Sequence, residues 1–370
     1  MASMIEIRNG VASFAENGLR ERAWHGLGDD QQIFDRPMYV KEALEACHAN
    51  YNVELQPIMV MTPRIAALMA NGGSQEAWND ALLEAQIAGS KATFRSDYNE
   101  TLGIVSDKYG IVQNEAAFQF VDMFCSGKFA DRDNTPVIET CGVLGKGERV
   151  FVTAKFPKPV VLDSQRNDLV EMYVVFTTSH DGTGAVRCMV TPIRVVCNNT
   201  LNLAMRNNIG RVSFRHTLNV NTRLDLLNKE NAEFAYKTLN VYETYEKGLK
   251  ESFDHLRNIK LSEKELDNIL ADVLLAPEAA KVFHLTGDIY NDEIKTRGRN
   301  IFLTAKEAME TGIGQAGQER GTGLWAINGL TTYFQNEASF KDNETKFDSI
   351  LDGKVYDKVN KAYDLILAAA

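Results

Sequence analysis

The sequence predicts an α+β protein, with an antiparallel-rich sheet in the N-terminal two-thirds and a helical C-terminal third. Three observations lead there. Alternating and β-branched runs separated by glycine turns crowd into residues 136–193. Beyond Arg223 the chain becomes rich in Glu, Lys, Leu and Tyr with few breakers. Finally, 370 residues that are 44% apolar and 24% charged supply a sizeable core, yet no window approaches the roughly 18 uninterrupted apolar residues of a membrane span. The expected division is a mixed, sheet-rich core over 1–223, with 63–90 inserted into it, and a mainly helical region over 224–370 packed on the first.

The elements follow in order. The first 35 residues are mixed and glycine-bearing, and are expected to form loop plus one short element. Val40 to Asn50 has helical spacing, with Leu44 and Cys47 on one side. Val53 to Met61 alternates and then runs apolar, the pattern of a strand interrupted near Pro57. Residues 63–90 read as helical, broken at Asn71-Gly72-Gly73. Strands are expected at Lys91 to Arg95 and Leu102 to Ser106, and a helix from Asn114 to Cys125. Two hairpins follow, one turning at Gly145-Lys146-Gly147 and one at Asp181-Gly182-Thr183-Gly184. Leu224 to Ile259 should be one long helix or a pair, a surface suited to self-association. Ser262-x-x-Glu265 is a capping box opening a helix that ends near Pro277, and Ala305 to Thr311 and Lys354 to Leu367 add further helix.

The net charge of −10 repels phosphate on average, so the distribution of charge says more than its sum. From Gly184 to Arg223 there are six arginines, with no lysine and no acid, which leaves −16 (−10 minus 6) on the rest of the chain. Guanidinium is planar, forks to phosphate oxygens and stacks on bases. Arg187, Arg194, Arg206, Arg211 and Arg215, with Asn198, Asn199 and Thr200 as neutral donors, are therefore the candidate contacts to single-stranded nucleic acid. Trp24 and Trp325 are the candidate stacking residues. The competing expectation is that these arginines pair with the chain's many carboxylates.

Catalysis has weaker support. His25, His180 and His216, with Cys197, would need to share one pocket. Ser179-His180-Asp181 holds the residue types of a hydrolase triad, but adjacent strand residues face opposite ways, and Asp181 before Gly182 is better read as a turn former. The His and Cys spacings match no structural zinc pattern, and the glycine loop at 312–323 lacks a P-loop's Gly-Lys-Ser/Thr ending; neither metal nor cofactor is expected. Arg297, Arg299 and Arg320 are candidates to extend a positive surface. Five scattered cysteines, an odd number with no C-x-x-C pair, and an N-terminus with an early Glu6 instead of an export signal point to a reduced, cytoplasmic setting without membrane insertion. A third reading is an inhibitor that binds a host protein through its acidic surface.

One set of motifs runs through the chain: Trp24-His25-Gly26-Leu27-Gly28, Leu102-Gly103-Ile104-Val105 with Tyr109 and Gln113-Asn114, Ser179-His180-Asp181-Gly182, Pro192 to Leu201, Arg215-His216-Thr217, and Gly321-Thr322 with Trp325 and Asn328. Together they resemble the phage/plasmid-like domain-of-unknown-function family, the run from Arg194 to Leu201 being the most specific. The resemblance spans residues 20–335, and 64–89 departs from it as an inserted surface element. It implies carriage by phages, plasmids and integrated elements, often near replication or recombination functions, and it transfers no catalytic residue.

Overall fold

The computed structural model describes residues 5–8, 11–18, 34–125, 135–163, 168–194, 199–200, 211–221, 247–312, 315, 318–341, 345–346, 349–350 and 353–369. The architecture is α+β, antiparallel sheet first and helices after.

The main sheet is built on two hairpins. Strands β7 (Val137–Leu144) and β8 (Arg149–Lys155) pair across a turn in which Gly145 (φ 68°) and Gly147 (φ 108°) take conformations that other residues rarely adopt. Strands β10 (Asp168–Ser179) and β11 (Val186–Arg194) form the other hairpin, in unbroken register from Val170↔Arg194 to Thr177↔Arg187. Strand β10 pairs β8 on its other side and joins the hairpins, with β9 (Val160–Asp163) continuing along that edge. Strands β12 (Asn199–Thr200) and β13 (Arg211–Phe214) cover successive parts of β11. Val170 and Met172 to Phe176 are all buried, so β10 is covered on both faces; this is why its sequence runs apolar and does not alternate. Helices α1 (Val40–Ala46) and α4 (Asn114–Cys125) pack together on this sheet.

Where one short element was expected near the N-terminus there are three strands, β1 (Ile7–Arg8), β2 (Val11–Ala12) and β3 (Phe14–Glu16). Strand β3 closes the main sheet beside β7, and a two- or three-residue strand is too short to show a period.

A separate three-stranded sheet forms an arm, ordered β4 (Val53–Met59), β5 (Gln86–Arg95), β6 (Glu100–Ser106). The register of β4 against β5 shifts between Pro57 and Met59, at the proline that cannot donate to the ladder. Between β4 and β5 lies a helical pair, α2 (Pro63–Asn71) and α3 (Gln75–Glu84), capped by Thr62 and Ser74. It has its own small core of Ile65, Ala81 and Ala85, with Leu68, Trp78 and Leu82 against it. The helical insertion ends at 85, not 90, because Gln86 to Ser90 is already strand; being largely exposed, it has no buried face for an alternating pattern to mark.

Helix α5 (247–258) precedes α6 (Glu263–Leu274), whose capping box has both hydrogen bonds in place: Glu265 N donates to Ser262 Oγ, and Ser262 N to the Glu265 carboxylate. Then come α7 (Pro277–Thr286), α8 (Thr296–Thr311), α9 (Gly323–Thr332) and α10 (Lys354–Ala368). Helix α8 starts nine residues before the expected Ala305, through the polar, glycine-containing turn Thr296-Arg297-Gly298-Arg299. Helix α9 escapes periodicity because every residue in it is buried. It runs directly into a π-helical turn at Tyr333–Glu337. One continuous apolar core holds residues of both the sheet region and the helices.

Candidate functional site

The motif residues from Leu102 to Thr217 meet at the joint between the arm and the main sheet. Gly103 lies against the backbone of Asp181, where a Cβ would sit 2.5 Å from Asp181 Cα. Gly110 lies equally close to Thr217, where a Cβ would be 2.0 Å from the carbonyl oxygen. Tyr109 stacks on His216 with ring centroids 4.8 Å apart, and its hydroxyl donates to Ser179 O at 2.9 Å. The Gln113 amide stands in for a strand neighbour, accepting from Val53 N at 3.0 Å and donating to Val53 O at 2.8 Å.

Behind the joint is a buried polar scaffold. Arg95, fully buried, donates to Glu6 at 2.8 Å, to both oxygens of Asp97 and to Lys146 O, and lies 3.8 Å over the Tyr51 ring. Burial alone would lower the guanidinium pKa; Asp97 and Glu6 outweigh it and raise the value. Tyr51 donates to Gly147 O at 2.7 Å and meets His180 edge-on.

His180 has no exposure, and its Nε2 lies 2.8 Å from Asn114 Oδ1. Asn114 spends its NH2 on Ala49 O, so its oxygen faces the imidazole and His180 carries its proton on Nε2. Burial first, then the nearby His216, push the His180 pKa down to about 3. His216 donates from Nδ1 to Gly110 O at 3.1 Å, and burial lowers its pKa as well. Each imidazole is thus neutral, with one buried lone pair, on His180 Nδ1 and His216 Nε2, that meets no donor among the described residues. The two histidines are buried parts of the scaffold. His25 and Cys197, which the pocket reading also required, lie outside the described residues.

On the solvent side of the same joint the loop after β10 lines a cleft of about 550 Å³. Asp181 shapes the loop: Thr183 N donates to it at 2.9 Å, and the hydroxyls of Ser179 and Thr183 also donate to it. Partial burial opposes the charge of Asp181, but Ser179, Thr183 and the nearby Arg149 hold its pKa below the usual range. Arg149 Nη2 donates to Thr183 Oγ1 at 2.9 Å.

Register explains the floor of the cleft. Arg187, Thr177 and Phe151 stand abreast on β11, β10 and β8, and Ser179, Arg149 and Leu144 form the next row on the same face. Lys341, Thr345, Ser349 and the first turn of α10, Gly353 and Lys354, form the opposite wall. The lining therefore offers four cations, side-chain hydroxyls that include those of Thr177, Ser179, Thr183, Thr345 and Ser349, and a helix N-terminus, with no carboxylate among the described lining residues. Arg149, Arg187 and Lys341 also engage other groups of the chain, as does Thr345, so these three cations are anchored.

Of the candidate nucleic-acid contacts, Arg187 lines this cleft. Position 211 pairs with Met189, two residues along β11 from Arg187, and so falls on the same sheet face. Position 194, seven residues from 187 on an unbroken register, falls at a register position of the other face. Position 194 pairs with Asn199, and Thr200 with Ile193, at the start of β12. Arg215 is exposed beyond β13. Asn198, Arg206 and Trp24 lie outside the described residues.

Trp325 is 5% exposed within α9 and packs in the core, so it offers no face to a base. Arg320 pairs with Glu310 at 2.6 Å, and Arg299 donates to the carbonyls of Ile289 and Tyr290; neither extends the cleft. Arg149, Lys341 and Lys354 were missed because each sits in an ordinary-looking charged segment. Arg95 left one readable trace, an Arg-x-Asp spacing at a strand end.

Among the described residues no three His, Cys, Asp or Glu side chains are grouped to hold a metal, and no helix is long and apolar enough to cross a membrane. No curated protein and no solved structure matches the chain. A family model does: residues 101–351, more than half of the sequence, match a domain of unknown function, DUF932. That stretch carries the joint, the cleft floor and most of the opposite wall, and the chain is a member of the DUF932 family.

Proposed function

We propose that the protein binds single-stranded nucleic acid, as an accessory factor of strand annealing or recombination in a mobile element, and that the cleft beneath α10 receives the strand's phosphates. The observation that carries this reading is the lining of the cleft. In a chain of net charge −10, Arg149, Arg187, Lys341 and Lys354 meet there with a row of hydroxyls and a helix N-terminus. Guanidinium and hydroxyl donors suit phosphate oxygens and do not depend on base identity. A cleft of this size takes one or two nucleotides of a single strand, not a duplex. The resemblance to phage- and plasmid-borne proteins supports the setting.

The test is equilibrium binding of a fluorescent single-stranded oligonucleotide, with a duplex of the same sequence as comparison. Neutralising about four phosphates on a single strand gives log K against log salt a slope near −3. A flat salt response, or equal binding of the duplex, would remove the reading. Capture of a host protein in the absence of nucleic acid would replace it with the inhibitor reading.

A further inference from the structure

We propose that Cys47 and Cys141 are a modification site, a pair that closes into an intramolecular disulfide when the protein meets a hydroperoxide. Cys47 is the residue that ends α1, and Cys141 sits inside β7 between Ala15 of β3 and Val152 of β8. They are 94 residues apart in sequence, both fully buried, and their sulfur atoms lie 2.9 Å apart. Closing to the bonded distance of about 2.0 Å takes a movement of under about 1 Å, small enough for side-chain rotation without moving either element. Cys125 and Cys188 have no such neighbour among the described residues.

The pairing has a structural consequence. Two residues beyond Cys47, the carbonyl of Ala49 accepts the Asn114 amide whose oxygen holds His180. A bond from Cys47 to β7 would pin the end of α1, and with it that relay, to the main sheet.

The chemistry balances with hydrogen peroxide as oxidant. One thiol loses its proton, and its sulfur attacks a peroxide oxygen; an S–O bond forms, the O–O bond breaks and water leaves. The second sulfur attacks the sulfenic sulfur; the S–S bond forms, the S–O bond breaks and a second water leaves. Two electrons pass from the sulfurs to the peroxide. Burial, and the neighbouring Cys47, hold the Cys141 thiol well above its ordinary pKa, so the reaction is slow and waits on opening at the end of α1.

The experiment treats the native, reduced protein with hydrogen peroxide, then denatures it in iodoacetamide and maps the peptides by mass spectrometry. The expected result is coupled loss of alkylation at both positions and one peptide linking Cys47 to Cys141, lighter by two hydrogens and restored by dithiothreitol. Cys47→Ala and Cys141→Ala should each abolish that peptide; the wild-type map stands alone if either variant fails to fold. Both cysteines still alkylated, either sulfur linked to another cysteine, or oxidation stopping at sulfinic or sulfonic acid would each overturn the proposal.

Discussion

Replacing His180 with glutamine should flatten the acid side of the stability profile. Glutamine keeps an N–H donor for Asn114 Oδ1 but does not titrate at these pH values. In the folded protein His180 resists protonation down to about pH 3, whereas the unfolded chain takes the proton near 6.5. Between those values the unfolded state binds more protons, so stability rises with pH. The contribution is whole above about 6.5 and is lost as pH falls below it. At about 1.4 kcal/mol per unit, His180 alone removes about 2 kcal/mol by pH 5 and approaches a limit of 4–5 kcal/mol near pH 3. His216 is shifted in the same direction and adds to the fall in both proteins. Urea unfolding of wild type and His180→Gln near pH 7.5 and near pH 5 reads the difference. Wild type should lose about 2 kcal/mol more than the variant; parallel profiles would show that the buried imidazole is not neutral as its tautomer and burial require.

Other substitutions test the scaffold piece by piece. Arg95→Met takes the Arg95 cation from the buried Glu6 carboxylate, which keeps the Ser13 hydroxyl, and should cost about 3–5 kcal/mol in chemical denaturation; a cost below about 1 would contradict the buried pair. Gly110→Ala drives a methyl into Thr217 O and should destabilise by about 1–3 kcal/mol or more, while Gly248→Ala in α5, with open space at its Cβ, should stabilise by up to about 1 kcal/mol. If both behave alike, the close approach at the joint is wrong. Asn328 is fully buried in α9 and neither of its amide atoms has a partner among the described residues, so Asn328→Leu should be neutral or raise the melting temperature, and a marked fall would mean the amide is satisfied in solution.

The sheet was legible where it is covered on one face or turned by glycine: the hairpins at Gly145 and Gly182 and the helix Asn114–Cys125 have the residues their geometry demands. Helix α9 was not, because a helix buried all round carries no amphipathic stripe, and β3 was too short to carry any pattern. For the site, the motif around Ser179 and Gly182 marked the right place with the wrong emphasis. His180 draws attention as an acid–base group, yet it faces inward, and what reaches solvent nearby is Thr183, with the buried Ser179 bordering the cleft. Charge counting found Arg187 but could not find Arg149 and Lys354, which arrive from elements far apart in sequence. Nor could it foresee that two arginines an odd number of residues apart on one strand fall on opposite faces.

The most direct test of the central claim is fluorescence anisotropy of a labelled single strand with wild type, with Arg149→Glu/Arg187→Glu, and with Arg215→Glu as an exposed charge outside the cleft. At low salt the double variant should lose at least about tenfold in affinity, and its salt slope should shrink by about 1.4, the share of two phosphates on a single strand, while Arg215→Glu changes little. Unchanged binding by a folded double variant, or an equal loss in both variants, would show that the strand does not enter this cleft.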